Sequence, residues 1–517
     1  MAKKIKTGPK ILLILIALAG VFFGVKELQK KGIIPSKKEV TIPKSNIDIN
    51  TLEAFKTKYN MTRPLRVGIC TWGGYAGGVY ANDGFVANVQ SEFYKKYGVL
   101  VDIILNDDLN SSYDAWKSGN IDILWGTVDA FSPLAATLPD NPQTFMQIDW
   151  SRGGDAIVAK RGIASINDLK GKKVAVALGT PSHSLLLKSL EAANMTSSDI
   201  TIVTTNSAPE AAQFFKAGKV DAAVVWSPDD QDCINTVAGS TAILTTKNAS
   251  NIIADMFFAK KEFLDQHEEL IKNFTEIWLN GNAEVNSAPE AKTKATDLLS
   301  KNMNQPLDFC DKAISNIRLA TYGDNSNFFN LKGNYSGVKA QDLYTSMSEM
   351  YKTIGYITKP VPGWNVVFYS KALRSVNLTD AINAPEGQKE FSAATSADAT
   401  ATAISSKTVS ITFPSGSFSL TDEAKTVIDE QMLPIANQFA SSRIRISGNT
   451  DNAGNPGANK ALSYKRAKAV SSYLIGQYNF DKDRFVVVGN GQDKPIADNS
   501  SDAGRAKNRR TDFEVIK

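Results

Sequence analysis

Residues 447–467 read SGNTDNAGNPGANKALSYKRA, and this stretch decides how the end of the chain folds. Just before it, isoleucines alternate with polar residues in RIRISG (443–448), the pattern of a half-buried strand ending at Gly448. The turn AGNPG (453–457) closes the strand and opens a helix. Leu462, Arg466 and Val470 follow at helical spacing. Asp451 therefore stands at a strand exit, with Arg466 in the helix beyond. An acid and a base on adjoining elements can hold both ends of a zwitterion, because guanidinium grips a carboxylate bidentately and a carboxylate accepts from an ammonium. A structural salt bridge between the two is the plainer alternative.

The same stretch resembles the OmpA-like peptidoglycan-binding family, whose pattern is TD, a glycine-containing loop, N, then LS and RA. Here these are Thr450-Asp451, Gly454, Asn459, Leu462-Ser463 and Arg466-Ala467. The family's closing signature is similar to Gly504-Arg505 and Asn508-Arg509-Arg510, followed by TDFEVI (511–516). The resemblance implies an α+β domain over residues 408–517 that binds the zwitterionic diaminopimelate end of a wall peptide. It places the clamp on Asp451 and Arg466, with Asn459, Leu462 and Arg509 beside it. Asn449 stands where many members have His, at a position that is not part of the clamp.

Working outward, 517 residues suffice for two to four domains, and 43% hydrophobic with 21% charged residues is ordinary globular composition. A net charge of +5 is small at this length and gives no argument for nucleic acid. Cys70, Cys233 and Cys310 are far apart and form no metal spacing, and His183 and His267 are the only histidines. Cys70 reads as a buried, inert thiol. No metal or other cofactor is expected.

The basic segment 1–10 precedes ILLILIALAGVFFGV (11–25), an uncharged apolar run. A bilayer takes about 20 residues, and flanking lysines can snorkel to extend the run, giving an anchor over 11–28. A cleaved signal peptide is the rival, with an A-x-A site at Ala17–Ala19. An uncleaved anchor is the reading carried forward, with 1–10 cytoplasmic and the bulk of the chain periplasmic. Residues 29–63 are Lys-rich and Pro-punctuated, a tether with a short helix in IDINTLEAFKTKYN (47–60).

Between 64 and 376 strands alternate with helices: LRVGIC (65–70), a helix spaced on Val86, Val89, Phe93 and Tyr97, VLVDIILN (99–106), SYDAWKSG (112–119) and IDILWGT (121–127). This predicts a mostly parallel sheet with ligands outside the carboxyl ends of its strands. Those ends put Trp72, Gly73, Tyr75 and Thr127 near a ligand. The alternation restarts with DLKGKKVAVALGTPSHSLLLKSL (168–190), giving a second lobe over 154–254 between the two parts of the first, 64–153 and 255–376. Two lobes joined by two crossings make a hinged cleft. Thr180, Ser182 and His183 open a helix whose free N–H groups suit an anion, though Thr180 or Ser182 can equally be a cap. Trp72, Trp125 and Trp226 at strand ends are aromatic walls or core. Asp255 can receive a ligand amine or a hinge hydrogen bond.

LRVGIC, SGNIDI (118–123), INDLKGKKVAVALGT (166–180) and AGKVDAAVVWSP (217–228) are similar to the nitrate/sulfonate/taurine group of importer-linked binding proteins, which have the type II periplasmic-binding fold. The resemblance implies a small-molecule ligand of unspecified identity and an ABC permease or another inner-membrane complex as partner. No nucleophile elbow, P-loop or zinc signature marks an enzyme. Residues 377–407 include FSAATSADATATAISSKT (391–408), a composition that packs no core. ITFPSGSFSL (411–420) is expected as the wall domain's first strand, and DEAKTVIDEQMLPIANQF (422–439) as one helix. The expected architecture is a transmembrane helix, an α/β two-lobed binding fold and an α+β wall domain. The expected role is a non-enzymatic envelope protein that binds peptidoglycan and a small, anionic solute. The alternatives are a wall-tethered importer receptor and a structural or motor-associated tether with a vestigial cleft.

Overall fold

The computed structural model describes residues 40–414 and 416–516. The basic tail at 1–10 and the anchor expected at 11–28 lie outside the described residues. No helix among the described residues is long and apolar enough to cross a membrane.

The chain enters through helix α1 (Ile49–Tyr59), capped by Asp48, whose side chain accepts from Thr51 N. The tether expected over 29–63 is corrected here for its described part. Phe55, Tyr59 and Met61 are buried in the first lobe's core, and Tyr59 Oη donates to Tyr97 O at 2.7 Å. A few apolar side chains on one face are enough to dock α1, because partners from distant sequence such as Asn273 complete the contact at 3.1 Å.

Strands β1 (Leu65–Ile69), β2 (Val101–Leu105), β3 (Ile123–Thr127) and β4 (Pro142–Ser151) build the first lobe before the chain crosses to the second. There it forms β5 (Asp155–Ala159), β6 (Lys173–Ala177), helix α2 (Pro181–Ala192), β7 (Thr201–Thr205), β8 (Ala222–Trp226) and β9 (Thr241–Thr245). It returns as β10 (Ala254–Lys260), the long helix α3 (Glu268–Ser287), β11 (Ile317–Leu319) and α4 (Ala340–Thr353). The first lobe's sheet has the order β11-β4-β10-β3-β1-β2 and the second's β7-β6-β8-β5-β9.

Both sheets are mixed rather than mostly parallel. Pairs β1–β2, β1–β3, β6–β7 and β6–β8 are parallel, while β10 and β5 run antiparallel to both their neighbours. The reason lies in the crossings. β4 passes into β5, and β9 into β10, through short connections with no crossover helix, and only a crossover returns a strand parallel. The helix expected from Val86 to Tyr97 is also shorter. Asp83 and Gly84, at φ +55° and +118°, stop the preceding helix, and the next begins only at Glu92, capped by Ser91.

The wall domain comprises β12 (Ala403–Val409), α5 (Asp422–Gln431), α6 (Leu433–Gln438), β13 (Arg443–Asn449), α7 (Pro456–Tyr478), β14 (Phe485–Gly491), α8 (Asp502–Asn508) and β15 (Thr511–Ile516). Its sheet has the order β12-β15-β13-β14. The first strand is β12, eight residues earlier than the segment 411–420 expected for it, whose described residues lie outside any helix or strand. The expected helix over 422–439 is two, because Pro434 cannot continue α5. Close packing demands glycine at position 448. A Cβ on Gly448 would stand 2.2 Å from Ser463 O, so its absence lets α7 lie against β13.

The segment 377–407 is not a free linker. Thr321 Oγ1 donates to Ala384 O at 2.9 Å, and Glu386 pairs with Arg152 at 2.8 Å. Further on, Arg443 donates to Ser392 O, and Arg445 to Ala401 O at 2.7 Å. A stretch poor in large apolar groups is thus held largely by its own carbonyls. β12 lies on the second lobe: Ile166 N donates to Ile404 O at 2.8 Å, and Asn167 exchanges two hydrogen bonds with Ser406. Ile404, Ile435, Phe439 and Ile444 join Ile157, Leu185, Ile243 and Ile252 in one apolar cluster. The second lobe and the wall domain therefore share a core.

Candidate functional site

Two cavities bring the chemistry together. The first lies in the wall domain, where β13, the loop to α7, α8, residues 410–413 and Gly416 border about 730 Å³. Asn455 caps α7, accepting from Gly457 N and Ala458 N, with Pro456 as the first helical residue. Gly454 at φ +91° makes the preceding bend. This turn carries Asp451 to the rim.

Asp451, Asn459, Leu462, Arg466 and Arg509 all line this cavity. Asp451 Oδ1 accepts from Ala453 N at 3.0 Å and Oδ2 from Arg509 at 2.6 Å. The structural salt bridge offered for Asp451 and Arg466 is not the pair formed; Arg509 takes that place. Arg466 donates Nε to Ser417 O at 3.0 Å and lies over the Phe413 ring at 4.9 Å. Burial and the neighbouring Arg509 depress its pKa. Asn459 Nδ2 binds the carbonyls of Asp451 and Ala453, so it holds the loop in place. Thr450 Oγ1 and Arg510 Nη1 are buried without a protein partner, and both residues also line the cavity. One acid among Arg466, Arg509 and Arg510 on a single lining suits a zwitterion.

The second cavity lies between the two lobes and holds about 30 Å³, room for one or two waters. Trp72, Trp125, Trp226, Asp155 and Asp255 line it, with Cys70 and Pro181. No Lys or Arg is among the lining residues. Of the expected ligand residues, Trp72, Trp226 and Asp255 are brought together here. Gly73 and Tyr75 are not: Gly73 packs against Ala313, and Tyr75 is buried in the first lobe, stacked on Phe257 with its hydroxyl 3.5 Å from Cys70 Sγ. Cys70 lines the cavity rather than the core alone, and burial raises its thiol pKa well above the usual value, keeping it protonated and unreactive.

Thr127, Thr180, Ser182 and His183 are not among the lining residues. Thr127 is the cross-strand partner of Asp255, its hydroxyl buried without a partner. Thr180 Oγ1 donates to Ala177 O at 2.8 Å and does not cap α2. Ser182 Oγ is fully buried and unpartnered. Gly179 N donates to His183 Nδ1 at 3.2 Å, and burial lowers that imidazole to about 4, so the ring is neutral.

Sequence reading missed Asp129, Asp149 and Asp155. All three are buried, and burial raises them to about 7, 8 and 7. Asp255 is also raised well above the usual carboxylate range, by burial and then by Asp149, its cross-strand neighbour. Asp149 Oδ2 accepts from Trp72 Nε1 at 3.2 Å, and the Asp149 and Asp255 carboxyls share a hydrogen bond. Ser151 Oγ donates to Asp155 at 2.6 Å. The missed signal was an acid inside an apolar run, as in FMQIDW and DAIVA.

Residues 412–509 match the OmpA family, and residues 82–292 match the NMT1/THI5 like family. The peptidoglycan-binding protein ArfA of Mycobacterium tuberculosis is 45% identical over 74 residues, 14% of this chain and 22% of that protein. The taurine-binding periplasmic protein of Escherichia coli is 25% identical over 222 residues, 42% of this chain and 67% of that protein. The Escherichia coli aliphatic sulphonate binding protein SsuA superposes with a TM-score of 0.47 at 18% identity, covering 60% of this chain and 99% of that one. The chain spans about a fifth of the length of the first curated relatives it matches. It carries an OmpA domain at its C-terminus and a nitrate/sulfonate/taurine-type binding domain with a two-lobed periplasmic-binding fold in its middle.

Proposed function

We propose that this chain is a non-catalytic cell-envelope protein that grips peptidoglycan with its C-terminal domain and a small solute between its lobes. One observation carries the first half: Asp451, Arg466 and Arg509 stand around a single cavity of about 730 Å³ on a domain matched to the OmpA family. A diaminopimelate side chain offers an ammonium to Asp451 and a carboxylate to the arginines. Retention of the full chain on purified sacculi tests this, and undiminished retention of the Asp451→Ala/Arg466→Ala variant would sink it.

The solute half is supported by the two-lobed fold and by the aromatic, carboxylate-lined cavity. Anchoring by residues 11–28 in the inner membrane, with the bulk in the periplasm, completes the reading. The partners are then the wall, the membrane, a small molecule and an ABC permease or another inner-membrane complex. N-terminal sequencing of the mature protein checks the anchor. A start at Gly20 overturns it.

A further inference from the structure

The two lobes meet on a box with an unusual balance. Three indoles form walls, and a carboxylate from each lobe lies on the lining: Asp255 on β10 and Asp155 on β5. Behind them Asp149 accepts from the Trp72 indole N–H, and its carboxyl shares a proton with that of Asp255. Among the described residues, none of these three acids has a Lys or Arg within ion-pair distance. The nearest cation that acts on Asp149 is Arg152, which is committed to Glu386 at 2.8 Å. Buried acids with no counter-ion are costly unless they protonate or are given a cation. Indole faces attract cations, and indole nitrogen does not ligate metals in this role. The space is water-sized, which matches a primary ammonium and not a quaternary one.

We propose that this box receives a primary ammonium group of the solute, bonded by Asp255 from one lobe and Asp155 from the other and walled by Trp72, Trp125 and Trp226. The proposal rests on the reading of the middle domain as a solute binder and names that solute's class. It also supplies a reason to close. An ammonium bridging acids of opposite lobes interacts with both only when the lobes are together, and only such differential affinity shifts a conformational equilibrium.

The pH dependence follows from the groups around the box. Asp129, Asp149, Asp155, Asp255 and Asp230 face one another, with Cys70 and Tyr75 protonated beside them. Below pH 7 Asp129, Asp149, Asp155 and Asp255 hold their protons and have little charge to offer. An aliphatic amine stays cationic up to roughly pH 10. Affinity for an ammonium therefore rises as pH increases from 6 to 8.5, and binding expels protons.

Titration calorimetry of the purified full chain with taurine, ethanolamine and isethionate tests this, since isethionate keeps the sulfonate of taurine and lacks its ammonium. Expected are heats from taurine or ethanolamine that strengthen from pH 6 to 8.5, none from isethionate, and weakening of roughly tenfold or more in Asp255→Asn and in Asp155→Asn. Both variants remove a buried charge without changing shape, so folding is preserved, and a melting scan checks that. Isethionate binding as well as taurine, or amine binding unmoved by either variant, overturns the ammonium box and leaves the solute reading standing. Silence from all three overturns both.

Discussion

The two cavities of this chain differ in almost every physical respect. The wall-domain cavity is wide, about 730 Å³, and presents Asp451 beside Arg466 and Arg509. The inter-lobe cavity is about 30 Å³, with indole walls and carboxylates that lack a cation. The first sets one acid, already paired with Arg509, among three arginines, so the carboxylate of a zwitterion finds a ready partner there. The second sets carboxylates among indoles with no cation on its lining, so its proposed occupant brings positive charge. The sign of the lining charge, not cavity size, separates the two.

The comparison is broken most directly at the wall domain. Asp451→Ala with Arg466→Ala should abolish retention of the full chain on sacculi, each change costing about 2–5 kcal/mol if the bound pair is desolvated. The inter-lobe titrations should be unchanged in that variant. Retention unchanged would make the wall-domain cavity a structural feature only.

Next in size is the shared core. Ile404→Ala removes a buried side chain at the junction of the second lobe and the wall domain, and should cost about 2–4 kcal/mol. Calorimetry should show one transition that contains both regions and moves as a unit. A separate wall-domain transition that moves alone would show that the two do not share a core.

The pH profile of the ligand-free protein sharpens the contrast. Asp129, Asp149 and Asp155 titrate near 7 to 8 when folded and near 4 when unfolded, so the folded state holds extra protons between those values. Stability from these groups is fully present below pH 4 and is lost as pH rises through 7 to 8. Asp149→Asn should flatten that slope and raise the melting temperature at pH 8.5 by several degrees. A profile of the variant parallel to that of the unsubstituted chain would remove these acids from the account.

The smallest effect belongs to the strap. Glu386→Ala breaks a half-exposed pair with Arg152 and should cost less than about 1 kcal/mol. Protection from hydrogen exchange should fall around 384–388 and nowhere in the wall cavity. Loss extending into α7 would make the strap part of the wall site.

Much of the wall site was legible because its residues are nearly contiguous: strand exit, turn and helix fall within 447–467, and local chemistry dictates each. The inter-lobe box was only half legible. Trp72, Trp226 and Asp255 stand at strand ends and announce themselves. Asp149 and Asp155 do not, because their meaning depends on β4 and β5 approaching from different lobes with no Lys or Arg between. Slack was misread for a related reason. The segments 40–63 and 384–402 look like tethers by composition, yet Phe55 and Tyr59 find a core supplied by α3, and Arg443 and Arg445 reach out for bare carbonyls. Docking of a polar segment is decided by its partner, which local composition does not record.

The fusion of the wall domain to the second lobe changes which part of the molecule can be called stationary. With flexible connections on both sides, either lobe could swing while the other rested. Here the wall domain has no joint of its own, since Ile404, Ser406 and Phe439 tie it into the second lobe's interior. Fastened to a surface, it makes that lobe the door frame. The first lobe, with Trp72 and Asp255 on its inner edge, is then the door, and each opening is a displacement measured from the wall.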